Sequence, residues 1–221
     1  MQIEFSYYDL ASNEQETKDN IKRVSYFPIH SISVLPYYIK AAKVTAQQQN
    51  QNIKISTVID YPMGIGDLNS RLLLSKNAIK NGADSLEIVI PIQLLCNRKY
   101  DKFRDDIKGH LELALQNNIK IRYILEYRLF TYELLYKMSQ ILLSEGINTI
   151  YPSTGYLLDD INDNILAAAL INKKIPDINI ISNGNIWNSN QINGIDKYNL
   201  YGLKVNSINA IDLICKKLIK T

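Results

Sequence analysis

Two cysteines and two histidines among 221 residues are the first constraint on this chain. Cys96 and Cys215 are far apart and form no Cys-x-x-Cys pair. Neither a disulfide framework nor a thiolate metal site is expected, and a reducing cytoplasm is the simplest compartment. His30 and His110 are too few to build a catalytic metal centre, which needs several imidazole or carboxylate ligands converging on one cation. His30 precedes a strand and His110 lies mid-helix in Gly109-His110-Leu111, where partial exposure is expected. No metal and no cofactor are therefore expected. Uninterrupted apolar runs are also missing: nothing approaches the roughly 18 residues of a membrane span. Met1 to Leu10 lacks a basic n-region, so no signal peptide is expected. The net charge of +3 comes from bases interspersed with acids, not from a basic stripe, which speaks against a nucleic-acid partner. No Gly-x-Gly-x-x-Gly follows the first strand, which lowers a dinucleotide-binding reading.

What the chain does have is an ordinary globular composition, 46% hydrophobic and 21% charged, with no linker and no short repeat. One domain over residues 1–221 is expected. The richness in Asn, Ile, Lys and Tyr reads as codon bias, so a lone residue of these types carries little weight.

Short β-branched runs alternate with longer amphipathic ones. The strand candidates are Ile3–Tyr8, Ser31–Leu35, Ile53–Tyr61, Ser85–Pro91, Lys120–Tyr127, Asn148–Ser153, Ile178–Asn183 and Gly202–Asn206. Helix candidates between them include Leu68–Asn81, Lys99–Asn117, Thr131–Glu145 and Leu157–Asn172, with a last one over Ser207–Ile219. Asp67 and Thr131 stand at N-cap positions. Gly82, Asn118 and Gly146 stand where helices should end. Eight such β/α units are the period of a (β/α)₈ TIM barrel. On pattern alone an open doubly wound sheet remains a rival.

Five segments, in order, narrow the choice. They are Ser33-Val34-Leu35-Pro36, Thr57 to Gly64 (Thr-Val-Ile-Asp-Tyr-Pro-Met-Gly), Gly82 to Ile90 (Gly-Ala-Asp-Ser-Leu-Glu-Ile-Val-Ile), Arg122 to Glu126 (Arg-Tyr-Ile-Leu-Glu), and Tyr151-Pro152-Ser153-Thr154-Gly155. Together they resemble the deoxyribose-phosphate aldolase family from about residue 30 to the C-terminus. The N-terminal strand is harder to register, because the family's Asp-x-Thr pattern is not clearly present. The resemblance implies a class I aldolase barrel, a phosphorylated sugar as ligand, and a homodimer.

The departures from the family are as informative. The resemblance puts the imine-forming lysine at Tyr151, and a phenol cannot form an imine. The second lysine, which lowers the pKa of the first, falls at Ile181. The proton-transfer aspartate is matched by Glu87. At the phosphate end Gly155 and Gly184 survive, but Asn185 and Trp187 stand where the family has a second glycine and an arginine. Lys204 replaces the eighth-strand glycine, and only Ser207 remains of a serine pair.

If Tyr151 points into the barrel, as the resemblance implies for the lysine at its position, strand alternation turns Glu87 and Arg122 inward too, where a buried glutamate needs a partner. They are expected to form a closed polar cluster in the former catalytic centre, with Arg122 on the neighbouring strand pairing Glu87. Glu87, Tyr151 and Arg122 are thus the catalytic-position candidates; Gly155, Gly184, Lys204 and Ser207 are the ligand- or phosphate-binding ones. Lys204 reads either as a strand-end lysine reaching solvent, as a phosphate contact, or as a relocated amine. Asp60 and Glu126 end strands on the face where barrels keep their sites. The Tyr7-Tyr8 and Tyr37-Tyr38 pairs read as barrel packing or a subunit surface. Three functions stay open: a non-catalytic homologue binding a ligand or protein partner, a lyase or isomerase on a phosphorylated sugar using Glu87 and Tyr151, and an aldolase with a relocated lysine.

Overall fold

A computed structural model describes residues 1–49, 52–157, 160–193, 195, 198 and 200–218. Eight strands pair in parallel and in sequence order, and the last returns to the first to close a barrel. They are β1 (Gln2–Tyr7), β2 (Ser31–Val34), β3 (Lys54–Ile59), β4 (Ser85–Val89), β5 (Lys120–Ile124), β6 (Thr149–Tyr151), β7 (Asn179–Asn183) and β8 (Gly202–Val205). Around them run α1 (Glu14–Val24), α2 (Ile39–Gln48), α3 (Leu68–Lys80), the short α4 (Ile92–Cys96), α5 (Tyr100–Asn117), α6 (Tyr132–Ser144), α7 (Ile161–Lys174) and α8 (Ile208–Leu218). The (β/α)₈ barrel is the architecture, and the open-sheet rival is gone.

Alternation along the strands sorts the residues into two compartments. One parity (Ile3, Phe5, Ile32, Val34, Ile55, Leu86, Ile88, Tyr123, Ile150, Ile180, Leu203, Val205) joins the helices in the large core outside the barrel. The other parity faces the lumen. Its apolar members are few: Val58, Val89, Ile124, Tyr151 and Ile181 form a separate small cluster. Burial on both faces explains why the strands read as nearly continuous apolar runs.

Helix limits follow local chemistry. Asp67 and Thr131 accept hydrogen bonds from the backbone N–H groups of Ser70 and Leu134, as N-caps should. Asn13 and Glu16 close a reciprocal capping box on α1. Asn118 ends α5 in the left-handed region, at φ 51°. The expected start of α7 at Leu157 is four residues early. Asp160 caps the helix by accepting from Asn162 N–H, so apolar Tyr156 and Leu157 belong to the loop before it. Ile219, the expected end of α8, lies outside the described residues. The β7–β8 crossover departs most from strict alternation. Its described element is a 3₁₀ turn over Ser189–Ile192, capped by Asn188, in a stretch crowded with Asn. Among the described residues no helix is long and apolar enough to cross a membrane.

One expectation fails in the outer layer: His110 is fully buried, not partly exposed. It follows Phe103, Asp106 and Ile107 at helical spacing and so shares the inward face of α5. Its Nδ1 donates to the Asp106 carbonyl at 2.7 Å. Burial pushes its pKa down.

Beside it Arg71 is 1% exposed and pairs with Asp106 at 2.8 Å and Asp60 at 2.6 Å; it also donates to the Val89 carbonyl. Asp106 takes a further bond from Tyr123. The fork of one arginine thus ties β3, β4, α3 and α5 together. Arg71→Leu leaves two buried or nearly buried carboxylates uncompensated and should cost about 3–5 kcal/mol of stability. Urea unfolding followed by circular dichroism measures this; a loss under about 1 kcal/mol would show that the network carries little.

Candidate functional site

The lumen parity carries an unusual load of polar groups. Glu4 (β1), Glu87 (β4), Arg122 (β5), Tyr151 (β6) and Lys204 (β8) all point inward and are 5% exposed or less. In the strand register Glu4 sits beside Lys204, and Glu87 beside Arg122. The ion pairs do not follow that adjacency. Arg122 pairs with Glu4 at 2.5 Å, from β5 to β1, and Lys204 pairs with Glu87, from β8 to β4. Each pair therefore spans the barrel between opposite strands. Side chains in such a barrel stack in layers contributed by alternate strands, so β1 meets β5 and β4 meets β8.

The expected pairing of Glu87 with Arg122 is thereby corrected: the partner of Glu87 is Lys204. The three expected residues do lie in one cluster, joined through the Tyr151 hydroxyl. That hydroxyl accepts from Arg122 Nη1 at 2.7 Å, donates to Glu4 Oε2 at 2.7 Å and lies 3.3 Å from Glu87 Oε1. A phenol has one hydrogen to give, so the nearer Glu4 receives it. Burial, then Glu4 and Glu87, raises the Tyr151 pKa well above its ordinary value, and the group stays protonated. Burial works against charge on Glu4, but Arg122 and then Lys204 outweigh it and hold the carboxyl below its usual range. Burial likewise opposes charge on Arg122, where Tyr151 and Glu4 more than compensate.

Lys204 does not reach solvent as a strand-end lysine would; it is 4% exposed. Its Nζ donates to the Tyr8 hydroxyl at 2.9 Å and lies 4.7 Å from the Tyr151 ring centroid. Tyr8 also lies 2.9 Å from Glu87 Oε2 and 2.6 Å from Ser33 Oγ. Glu4 and Tyr8 are the site residues that sequence reasoning missed. Both lie in the N-terminal segment, whose register the motifs left open. The alternation of β1, with Glu4 two residues from Ser6, was the available signal.

Above this floor a cavity of about 380 Å³ opens at the carboxyl ends of the strands. Tyr8, Glu87, Tyr151 and Lys204 close its bottom, and Gly155 and Gly184 line it. Tyr8, Tyr61 and Tyr156 make an aromatic wall, with ring centroids 5.1 and 6.2 Å apart. Tyr61 is raised in pKa by burial. Ile181, at the position of the second lysine, is a buried apolar member of the lumen.

Other expected site residues serve the scaffold. Ser207 does not line the cavity; its hydroxyl accepts from Ala210 N–H at the start of α8. Glu126 accepts from the Thr154 N–H and hydroxyl and so holds the turn after β6. Asp60 belongs to the Arg71 network and accepts from Gly66 N–H. Tyr37 is exposed, and Tyr38 donates to the Ser12 carbonyl.

Fold and site together define a (β/α)₈ barrel with a polar centre at the carboxyl ends of its strands. Comparison with known proteins narrows this. A deoxyribose-phosphate aldolase of Thermococcus kodakarensis is 28% identical over 130 residues, 59% of this chain and 58% of that protein. One from Clostridium tetani is 29% identical over 145 residues, 66% of each chain. The match to the first thus spans under three fifths of that relative's length. A solved structure described as QR15, an aldolase, superposes with a TM-score of 0.85 at 19% identity, over 98% of this chain and 96% of that one. Deoxyribose-phosphate aldolase from Aeropyrum pernix gives 0.83 at 17%, over 99% and 90%. No family model matches the chain. The chain is a relative of the deoxyribose-phosphate aldolases.

The Glu4 shift has a consequence for stability. A carboxylate whose folded pKa is depressed stabilises the fold above its unfolded pKa, ordinarily near 4.5, and that stabilisation is lost as pH falls through the folded value. Glu4→Gln should therefore cost about 3–5 kcal/mol at neutral pH by leaving Arg122 uncompensated. The gap between variant and parent should narrow in the acid range, read as urea midpoints against pH. A gap independent of pH would exclude the ion pair as its source.

Proposed function

We propose that this chain is a divergent homologue of the deoxyribose-phosphate aldolases that no longer performs imine-based aldol chemistry and acts by holding a small molecule in the mouth of its barrel. The observation that carries this reading is Tyr151. Its ring occupies the centre of the lumen at the position where the resemblance puts the imine-forming lysine, with its hydroxyl engaged by Arg122 and Glu4. An imine needs a neutral amine facing the substrate carbonyl. At this position there is a phenol kept protonated by its surroundings. The apolar Ile181 supports the same reading, because the helper amine is gone with the first. Four charges that cancel in two pairs also suit a permanent, satisfied floor, since unpaired buried charge is what a barrel cannot sustain.

A second reading rests on Lys204. Its ammonium, the Glu87 carboxylate and the Tyr8 phenol meet at the cavity floor within hydrogen-bond reach of one another. That trio has the residue types for a relocated lyase, aldolase or isomerase on a phosphorylated sugar. The ion pair with Glu87 favours the non-catalytic reading, because it and the bond to Tyr8 engage the amine within the floor and not with a substrate carbonyl.

Two measurements decide between them. A retro-aldol assay on 2-deoxyribose 5-phosphate should give no turnover above the uncatalysed background; turnover abolished by Lys204→Met would establish the second reading. Borohydride treatment with the same aldehyde, followed by intact mass, should leave the chain unmodified, whereas an adduct mapped to Lys204 would refute the proposal.

A further inference from the structure

The two ends of the barrel differ in what they expose. At the carboxyl ends of the strands, the connections after β1, β2, β3, β5, β6 and β7 each hold a large apolar or aromatic side chain out to solvent. These are Leu10, Tyr37, Ile65, Leu129, Tyr156 and Trp187, between 46% and 85% exposed. At the other end, among the described connecting residues, Tyr26 is the one such side chain more exposed than buried. Apolar groups gathered on one face mark an interaction surface. A small molecule in the mouth cavity does not cover them, because Tyr156 alone of the six lines that cavity.

The same face carries a hole and a knob. A second and more apolar cavity, of about 480 Å³, lies between the loops after β3 and β4 and the start of α5. Ile65, Leu68, Pro91 and Leu94 wall it, and the buried Arg71 and Asp106 stand at its base. Strand order around the closed barrel puts β7 four places from β3, on the opposite side. After β7 stands Trp187, 63% exposed. Its backbone is fixed, since Gln191 Oε1 accepts from both Trp187 N–H and Asn188 N–H.

We infer that this face is an interface between two copies of the chain, related by a two-fold axis across the mouth, with Trp187 of each copy seated in the apolar cavity beside β3 and β4 of the other. A two-fold axis is the operation that turns a knob and a hole on opposite sides of one face into two equal contacts. An indole brings a large apolar body and one N–H donor. The hole supplies apolar walls for the body, and the Asp105 carboxylate beside them accepts from the N–H. Six side chains offering on the order of 100 Å² each, with the cavity walls, reach the roughly 800 Å² per partner of a stable interface. The inference goes beyond the binding reading above and does not depend on it.

The test is sedimentation equilibrium of the full chain over a dilution series from about 100 μM downward. A dimer should be present at the upper end. Trp187→Ser and Ile65→Asp, both at exposed positions, should each weaken it at least tenfold, as loss of an anchoring indole or of its seat does. Tyr26→Ser, at the other end of the barrel, should leave it unchanged, with circular dichroism confirming the fold of all three. Trp187 is the chain's one tryptophan, so fluorescence reports its seat directly. Its emission should move to longer wavelength as the dimer dissociates. A monomer throughout the series, or a dimer as stable in Trp187→Ser as in the parent chain, would overturn the inference.

Discussion

Two ion pairs that cross the barrel from wall to wall set the conditions for everything above them. Arg122 reaches Glu4 from β5 to β1, and Lys204 reaches Glu87 from β8 to β4. Removing four charges from water is costly unless each finds a partner and the leftover hydrogen-bonding capacity is used. Here it is used, by Tyr151 in one pair and Tyr8 in the other. The lumen is consequently neutral as a whole, closed at the bottom and held from strands on opposite sides.

The same arrangement joins the lumen side chains into one connected structure. Lys204 is held by Glu87 across the barrel. Tyr151, at the position where the resemblance puts an imine-forming lysine, serves as the hydrogen-bond hub of the floor. The outer layer also buries charge against charge: Arg71 binds both Asp60 and Asp106 between the helices and the sheet.

Much of this was legible along the chain. The strand and helix succession, the caps at Asp67 and Thr131, and the left-handed stop at Asn118 follow from local propensity and appear in place. The inward direction of Glu87, Arg122 and Tyr151 follows from a period of two once the resemblance turns position 151 inward. The choice of partners was not legible. Adjacency in the sheet suggests Glu87 with Arg122, whereas layering across a closed barrel joins alternate strands. Glu4 and Tyr8 escaped because the first strand carries no motif to anchor its register. His110 was misjudged because its burial depends on which face α5 turns to the core. Ser207 was expected at a ligand, and its hydroxyl accepts from the backbone of its own helix, a use that single-residue identity does not announce.

By itself, then, the amino-acid order determined the barrel, its kinship and the phenol at position 151, because these depend on periodicity, local capping and the identity of single residues. Only the tertiary structure decided which charges neutralise which and that Lys204 is buried. Those are properties of closure: bringing β8 back against β1 places side chains from opposite walls within bonding distance, and no spacing along the chain encodes that meeting.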